Sequence, residues 1–405
     1  MKEKQNIHVI KTVALVTALS LLGDSMLYIA LPLYWDQVRL ESLWQVGVLL
    51  SINRFVRLPI APFVGWLYKR MSLRKGLLVA TSIGAITTLG YGLFNGFIAW
   101  IILRSLWGVA WSFFRIGGLA SVSYYAEDKE LGKAMGTYNG LYRLGSLFGM
   151  LLGGILVPII GLKLVAIVFG VLTLLGVPII LYVLKENNAK TVVDNLSETQ
   201  RSSSQPISYK FKILLICISG FFVTMLIQGV LTATLSSVIA YNQGEFVLIF
   251  QFVLSAALLS GLIQSLRWVW EPFLARKIGI WSDGRMDRIP LFVTFLIFTG
   301  ILYGMISFDL SIITWIVVTL LVMIGATAIT TLLDSIAIEQ AKTATVTFIT
   351  LYTIIQDVGA ALGPFVSYMV IELESGFSYL YFGGSGILLL LALFWSSFYI
   401  KWNKS

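Results

Sequence analysis

The chain has 405 residues, of which 58% are hydrophobic and only 12% charged, with a mean hydropathy of +0.87. A water-soluble domain carries about 25% charged residues, so this composition excludes an ordinary soluble enzyme and makes lipid the solvent for most of the surface. One cysteine, Cys217, excludes an internal disulfide, and one histidine, His8, leaves no His/Cys set for zinc or haem. No cofactor and no metal site are expected.

In chain order, apolar runs lie near 11–34, 44–66, 77–94, 97–122, 134–158 and 163–184. Each is long enough to cross a hydrocarbon core of ~30 Å at about 1.5 Å per residue. Residues 185–212 are polar and Ser-rich without apolar periodicity, which reads as a solvated linker. Six further runs follow near 213–240, 246–275, 290–308, 310–336, 344–371 and 379–400. The pattern predicts an all-α membrane protein of twelve transmembrane helices in two six-helix bundles, 1–184 and 213–405, joined by the linker. The first run is longer than a signal-peptide core and lacks a small-residue cleavage site, so no cleaved leader is expected.

The net charge of +9 is explained by where the basic residues fall. With the N-terminus inside the cell, 21 of the 29 Lys and Arg lie in tails and loops on the cytosolic side, and only Arg39 and Lys163 lie on the other. The remaining six, Arg54, Arg57, Arg104, Arg115, Arg143 and Arg267, fall within the runs. Both termini and the linker are therefore expected in the cytosol, and nucleic acid is a poor explanation of the basic excess. Trp44, Trp100 and Trp315, near run ends, are expected to anchor at the membrane interface.

The chain repeats itself. RFVRLP at Arg54–Pro59 returns as RWVWEP at Arg267–Pro272, and Gly65, Gly145 and Gly149 recur as Gly279, Gly359 and Gly363, 214 residues on. Leu119, Ser121 and Tyr138 likewise match Leu333, Ser335 and Tyr352. The same order of helices is used twice, as in folds whose halves are related by an axis along the membrane normal.

Several motifs carry a resemblance to a known family. After run 2, GWLYKRMSLRK at Gly65–Lys75 resembles a loop of the major facilitator superfamily, with Lys69 in place of the usual Asp and with Arg70 and Arg74 in the basic cluster. The repeat copy, GIWSDGRMDR at Gly279–Arg288, keeps the acid as Asp283. In run 4, RSLWG at Arg104–Gly108 resembles the family's Arg-x-x-Gln-Gly signature with Trp107 for Gln. In run 5, Gly136, Gly145, Gly149, Gly153 and Gly154 resemble a drug:proton antiporter pattern whose usual proline is Met150 here, whereas the copy GAALGPFVS in run 11 has Pro364. The resemblance spans nearly the whole chain. It implies the major facilitator fold in the twelve-helix antiporter form, a cytosolic gate at the Gly65 and Gly279 loops, and an association of Arg104 with proton coupling.

Ionisable groups within the runs are informative because each costs at least ~2.5 kcal/mol at the bilayer centre unless paired or wet. Four acids stand out: Asp24, Glu271, Asp334 and Asp357. Asp24, midway along run 1, reads either as a proton carrier, with Arg115 a further coupling candidate, or as a fixed partner of Arg54, Arg57 or Arg115. Arg143 and Asp357 hold equivalent repeat positions and read as a gating or substrate-orienting pair lining the cavity, or as a structural ion pair. Arg54, Arg57, Trp107 and Trp111 are further candidates for the cavity lining, with plain packing the ordinary role of the tryptophans. Arg267 and Glu271, four apart, can pair within one helix. Asp334, near the cytosolic end of run 10, reads as solvated.

There is no phosphate-binding loop of the Gly-x-x-x-x-Gly-Lys-Ser/Thr type. Energy is therefore expected from an ion gradient, and the leading reading is proton-coupled efflux of a small molecule or drug by alternating access. The partners are protons, the substrate and membrane lipids. The protein is expected to act as a monomer in the plasma membrane of a bacterial cell. The intramembrane arginines motivate a second reading, transport of an anionic metabolite or lipid-linked anion. A non-transporting sensor on the same fold is the third, disfavoured by the lack of an appended signalling domain.

Overall fold

The computed structural model describes residues 2–126, 131–184, 207–249, 251–284, 287–341 and 346–402. The first half comprises α1 (Lys2–Ala30), α2 (Leu43–Tyr68), α3 (Leu73–Leu93), α4 (Phe97–Tyr125), α5 (Leu131–Ile160), α6 (Leu162–Leu174) and α7 (Gly176–Val183). The second comprises α8 (Ile207–Thr224), a π-helical segment Met225–Leu231, α9 (Thr232–Gln243), strands β1 (Phe246–Ile249) and β2 (Phe252–Ser255), and α10 (Ala256–Gly284). It ends with α11 (Arg288–Met305), α12 (Ile312–Ala341), α13 (Val346–Ile371) and α14 (Gly376–Trp402).

Among the described residues, 11 spans are long and apolar enough to cross a membrane. Two of them are composite: Leu162–Val183 runs through α6 and α7, and Lys212–Gln243 runs through α8, the π segment and α9. The twelfth expected crossing is α10, whose 29 residues give a length of about 43 Å at 1.5 Å per residue. Arg267, Glu271, Arg276 and Lys277 lower its hydropathy. The linker expected over 185–212 falls on residues outside the description up to 206, and its last residues already belong to α8.

The run expected as one helix over 246–275 is corrected. Residues 246–255 form an antiparallel hairpin, Phe246 opposite Ser255 and Ile249 opposite Phe252, and the helix begins only at Ala256. Gly244, at φ +85°, ends α9 in a conformation that side-chain-bearing residues rarely adopt. Beyond it, FVLI and FVLS are β-branched and aromatic segments, which favour extended backbone.

The described residues cluster into two compact units. One holds α1–α7 together with Ala257–Trp268 at the start of α10; the other holds α8 to β2, the remainder of α10, and α11–α14. The start of α10 joins the first unit through glycines. A Cβ on Gly154 would lie 2.6 Å from the Ala257 carbonyl oxygen, and one on Gly261 would lie 2.6 Å from that of Met150. Only residues without a side chain let the helices this close.

Within each unit a fully buried tryptophan closes a helix–loop corner. The Trp100 indole donates to the Phe94 carbonyl at 3.1 Å, and the Trp315 indole donates to that of Ile306 at 2.9 Å. Both are 0% exposed, so the interfacial anchoring expected for them is corrected: each is spent inside its own unit. Trp44, 37% exposed and edge-on to Phe97 at 5.3 Å between ring centroids, retains an outward face.

Candidate functional site

The sequence RSLWG explains its own geometry. Arg104 and Gly108 are four residues apart on α4 and share a face. A Cβ on Gly108 would collide with the Asn53 carbonyl of α2, so the helices touch there. One turn earlier on both helices, this contact brings Arg104 beside Leu49, whose carbonyl accepts a hydrogen bond from Arg104 Nε at 2.8 Å. The guanidinium then reaches across to α1, where Nη1 forms an ion pair with Asp24 Oδ1. Side-chain exposure is 0% for Arg104 and 12% for Asp24. Asn53 Nδ2 also donates to Asp24 Oδ1 at 3.4 Å, while Asn53 Oδ1 is enclosed without a hydrogen-bond partner. The Tyr91 hydroxyl of α3 lies within electrostatic reach of both charges.

The site thus draws one side chain from each of α1, α2, α3 and α4, and a backbone carbonyl from α2. Asp24 engages Arg104, which was not among the partners considered from the sequence, Arg54, Arg57 and Arg115. Arg54 and Arg57 are half-buried on α2, and Arg115 is exposed three turns beyond Arg104 on α4. Asn53 and Tyr91 escape sequence reasoning because they are uncharged and lie in no motif.

The glycines of α5 hold α1 in place at this level. A Cβ on Gly145 would meet the Ala18 backbone, one on Gly149 would lie 2.7 Å from the Leu22 carbonyl oxygen, and one on Gly153 would lie 2.7 Å from Met26 Cγ. The contacts advance four residues at a time along both helices and pass Asp24 between Leu22 and Met26. The second unit repeats the device: a Cβ on Gly359 would meet the Phe221 carbonyl, and Gly363 faces Gly229 in the π segment. Pro364, inside α13, cannot donate to the carbonyl of Ala360 four residues back. That oxygen lies 3.3 Å from where a Gly229 Cβ would be.

The other candidates separate. Trp107 is 1% exposed and packs with Leu21 and Ala110, its Cζ3 lying 3.3 Å from the position of a Gly84 Cβ. It is core, which corrects its candidacy as cavity lining: a ring this large fills the space that Gly84 leaves open. Trp111 is only partly buried, edge-on to Tyr142 at 6.1 Å. Arg143 stands with Cζ 5.5 Å from the Trp268 ring centroid, and Arg267 Cζ lies 5.8 Å from the same ring. Asp357 belongs to the other unit, on α13. Gly65, Gly136 and Gly279 have open space where a Cβ would stand. Arg70 stacks on Trp66 at 4.0 Å, and Arg74 Nη2 donates to the Leu181 carbonyl at 3.3 Å. The side chain of Asp283 is outside the description.

The Major Facilitator Superfamily model matches residues 13–364, and the chain belongs to that superfamily of membrane transporters. It is 29% identical over 289 residues to multidrug resistance protein MdtG of Proteus mirabilis (strain HI4320), a match covering 69% of this chain and 67% of that one. It is 30% identical over 156 residues to the synaptic vesicular amine transporter of Rattus norvegicus, covering 38% of this chain and 30% of that one. Among solved structures, a bacterial homologue of the human lysosomal transporter Spinster, inward-facing and unoccupied, superposes with a TM-score of 0.74 at 14% identity, covering 98% and 96% of the two chains. A POT family transporter in complex with 5-aminolevulinic acid gives 0.77 at 12% identity, covering 98% and 96%. These structures share the fold.

Proposed function

We propose that this chain is a proton-coupled exporter of small molecules, not an enzyme, in which Asp24 takes up and releases the driving proton and Arg104 is its counter-charge. The observation that carries the reading is the enclosed ion pair between Asp24 and Arg104. Protonating Asp24 leaves the guanidinium buried without its anion, a state that breaking a buried pair makes several kcal/mol less favourable. A conformation that rehydrates or re-pairs Arg104 is then favoured in proportion to that difference. Asn53 suits either state, because its amide donates to the carboxylate and its free carbonyl can accept from the protonated acid.

The multidrug resistance protein and the vesicular amine transporters among the relatives support efflux of organic molecules over the anion-transport reading. The basic loops support cytosolic termini, and the relative from Proteus mirabilis supports the plasma membrane of a bacterial cell. Arg143 and Asp357 remain a proposed gating pair on repeat position alone.

The test is substrate-dependent proton flux in liposomes over a panel of compounds. Acidification that tracks substrate movement and vanishes in Asp24→Asn is expected. Transport indifferent to the pH gradient would sink the coupling.

A further inference from the structure

A second carboxylate cluster lies in the other unit, and its arrangement differs from that of an ordinary ion pair. Asp334 of α12 accepts two hydrogen bonds on Oδ1, from the Tyr352 hydroxyl at 2.8 Å and from Gln356 Nε2 at 3.1 Å. Gln356 Nε2 also donates to the Tyr352 oxygen at 2.9 Å. Both donors are neutral, and no basic side chain among the described residues pairs with Asp334. The donors are firmly held. Tyr352 is 5% exposed and lies so near α8 that its Cε2 is 2.6 Å from where a Gly220 Cβ would be. The Gln356 carbonyl accepts from Thr224 Oγ1 at 2.9 Å. Asp334 itself is exposed.

Two arguments point to a ligand. An exposed carboxylate within a membrane-crossing helix cannot face hydrocarbon without a penalty of about 2.5 kcal/mol or more, so its open side requires water or a cation. The internal repeat supplies a control. Tyr138 is the counterpart of Tyr352, but it donates to the Phe114 backbone at 3.5 Å, and position 120, the counterpart of 334, is Ala. The helix pair therefore closes without a carboxylate in the first unit, and packing does not account for Asp334.

We propose that Asp334, with Tyr352 and Gln356 fixing its orientation, is the binding site for the positively charged group of an organic cation: a protonated amine or a quaternary onium centre. Two neutral donors hold Oδ1 and define the carboxylate plane, while the uncompensated negative charge draws a monocation to the open side. Asp334 lies seven residues before the end of α12, about 10 Å along the axis, within reach of a ligand entering from the cytosol. The inference rests on the transporter reading and names its substrate class.

The experiment is equilibrium binding of tetraphenylphosphonium to the purified full-length protein in detergent, with tetraphenylborate as the probe of equal size and opposite charge. Saturable binding of the cation, at least tenfold weaker binding of the anion, at least tenfold loss in Asp334→Asn and retention within about threefold in Asp334→Glu are expected. Tyr352→Phe should weaken binding several-fold. Each variant is compared at matched monodispersity, so that misfolding is not read as lost affinity. Absence of saturable cation binding by the unaltered protein, or full binding by a well-folded Asp334→Asn, overturns the proposal. If Asp334→Asn binds the cation normally but moves fewer protons per cargo, Asp334 is a proton site and the proposal also fails. Because binding needs no gradient, intact cation binding with uncoupled transport would refute the Asp24 reading and leave this one standing.

Discussion

Arg104 sits at 0% exposure with Asp24 as its ion-pair partner, so removing either side chain's charge strands the other in a low-dielectric site. Asp24→Asn and Arg104→Gln should each lower thermal stability in detergent, by about 3–5 kcal/mol. The double variant should regain much of that loss while remaining uncoupled in the liposome assay. Additive losses in the double variant would mean that the two residues do not interact. The glycines make a second contrast at this scale. In Gly145→Ala and Gly149→Ala the new methyl meets backbone of α1, which cannot rotate away, and melting temperatures should fall. Gly136→Ala meets nothing and should be neutral or stabilising by roughly 0.5–1 kcal/mol through helix propensity. Equal effects at Gly136 and Gly149 would remove close packing as the explanation of the pattern. The acid at 24 and the glycine spacing were legible in the sequence. The partner of Asp24 was not, because five other arginines lie in the apolar runs and only helix rotation selects among them.

At the scale of elements, the π segment Met225–Leu231 is wedged where Gly229 meets Gly363. π-helical turns are rare, and the close approach of Gly363 predicts that this stretch depends on its neighbour. Gly363→Ala should push α13 away and raise amide hydrogen exchange across 225–231 relative to α8. Unchanged exchange there would show that the π turn is set by its own sequence. The neighbouring β1–β2 hairpin marks where sequence reasoning failed: FVLIFQFVLS is apolar enough to extend a helix, and periodicity alone does not separate a short buried helix from paired strands. Strand pairing between segments two residues apart decides it.

At the scale of the whole molecule, the loop charges predict cytosolic termini. With Cys217→Ser as background, a cysteine at Ser203 should resist impermeant thiol reagents in intact cells and react after lysis. Labelling in intact cells would invert the topology. The number and order of membrane-crossing segments and the twofold repeat could be read directly from the sequence, because burying a backbone in hydrocarbon requires about 20 apolar residues whatever their neighbours. The tertiary structure alone decided which polar groups meet. Asp24 found Arg104 because Gly108 let α2 and α4 touch. Asp334, which reads as merely solvated in the sequence, was joined to Tyr352 and Gln356 by the packing of α12, α13 and α8. Membrane insertion is a sum over local transfer free energies, whereas a hydrogen bond requires two side chains within about 3 Å, and which residues come that near is set by helix rotation and approach.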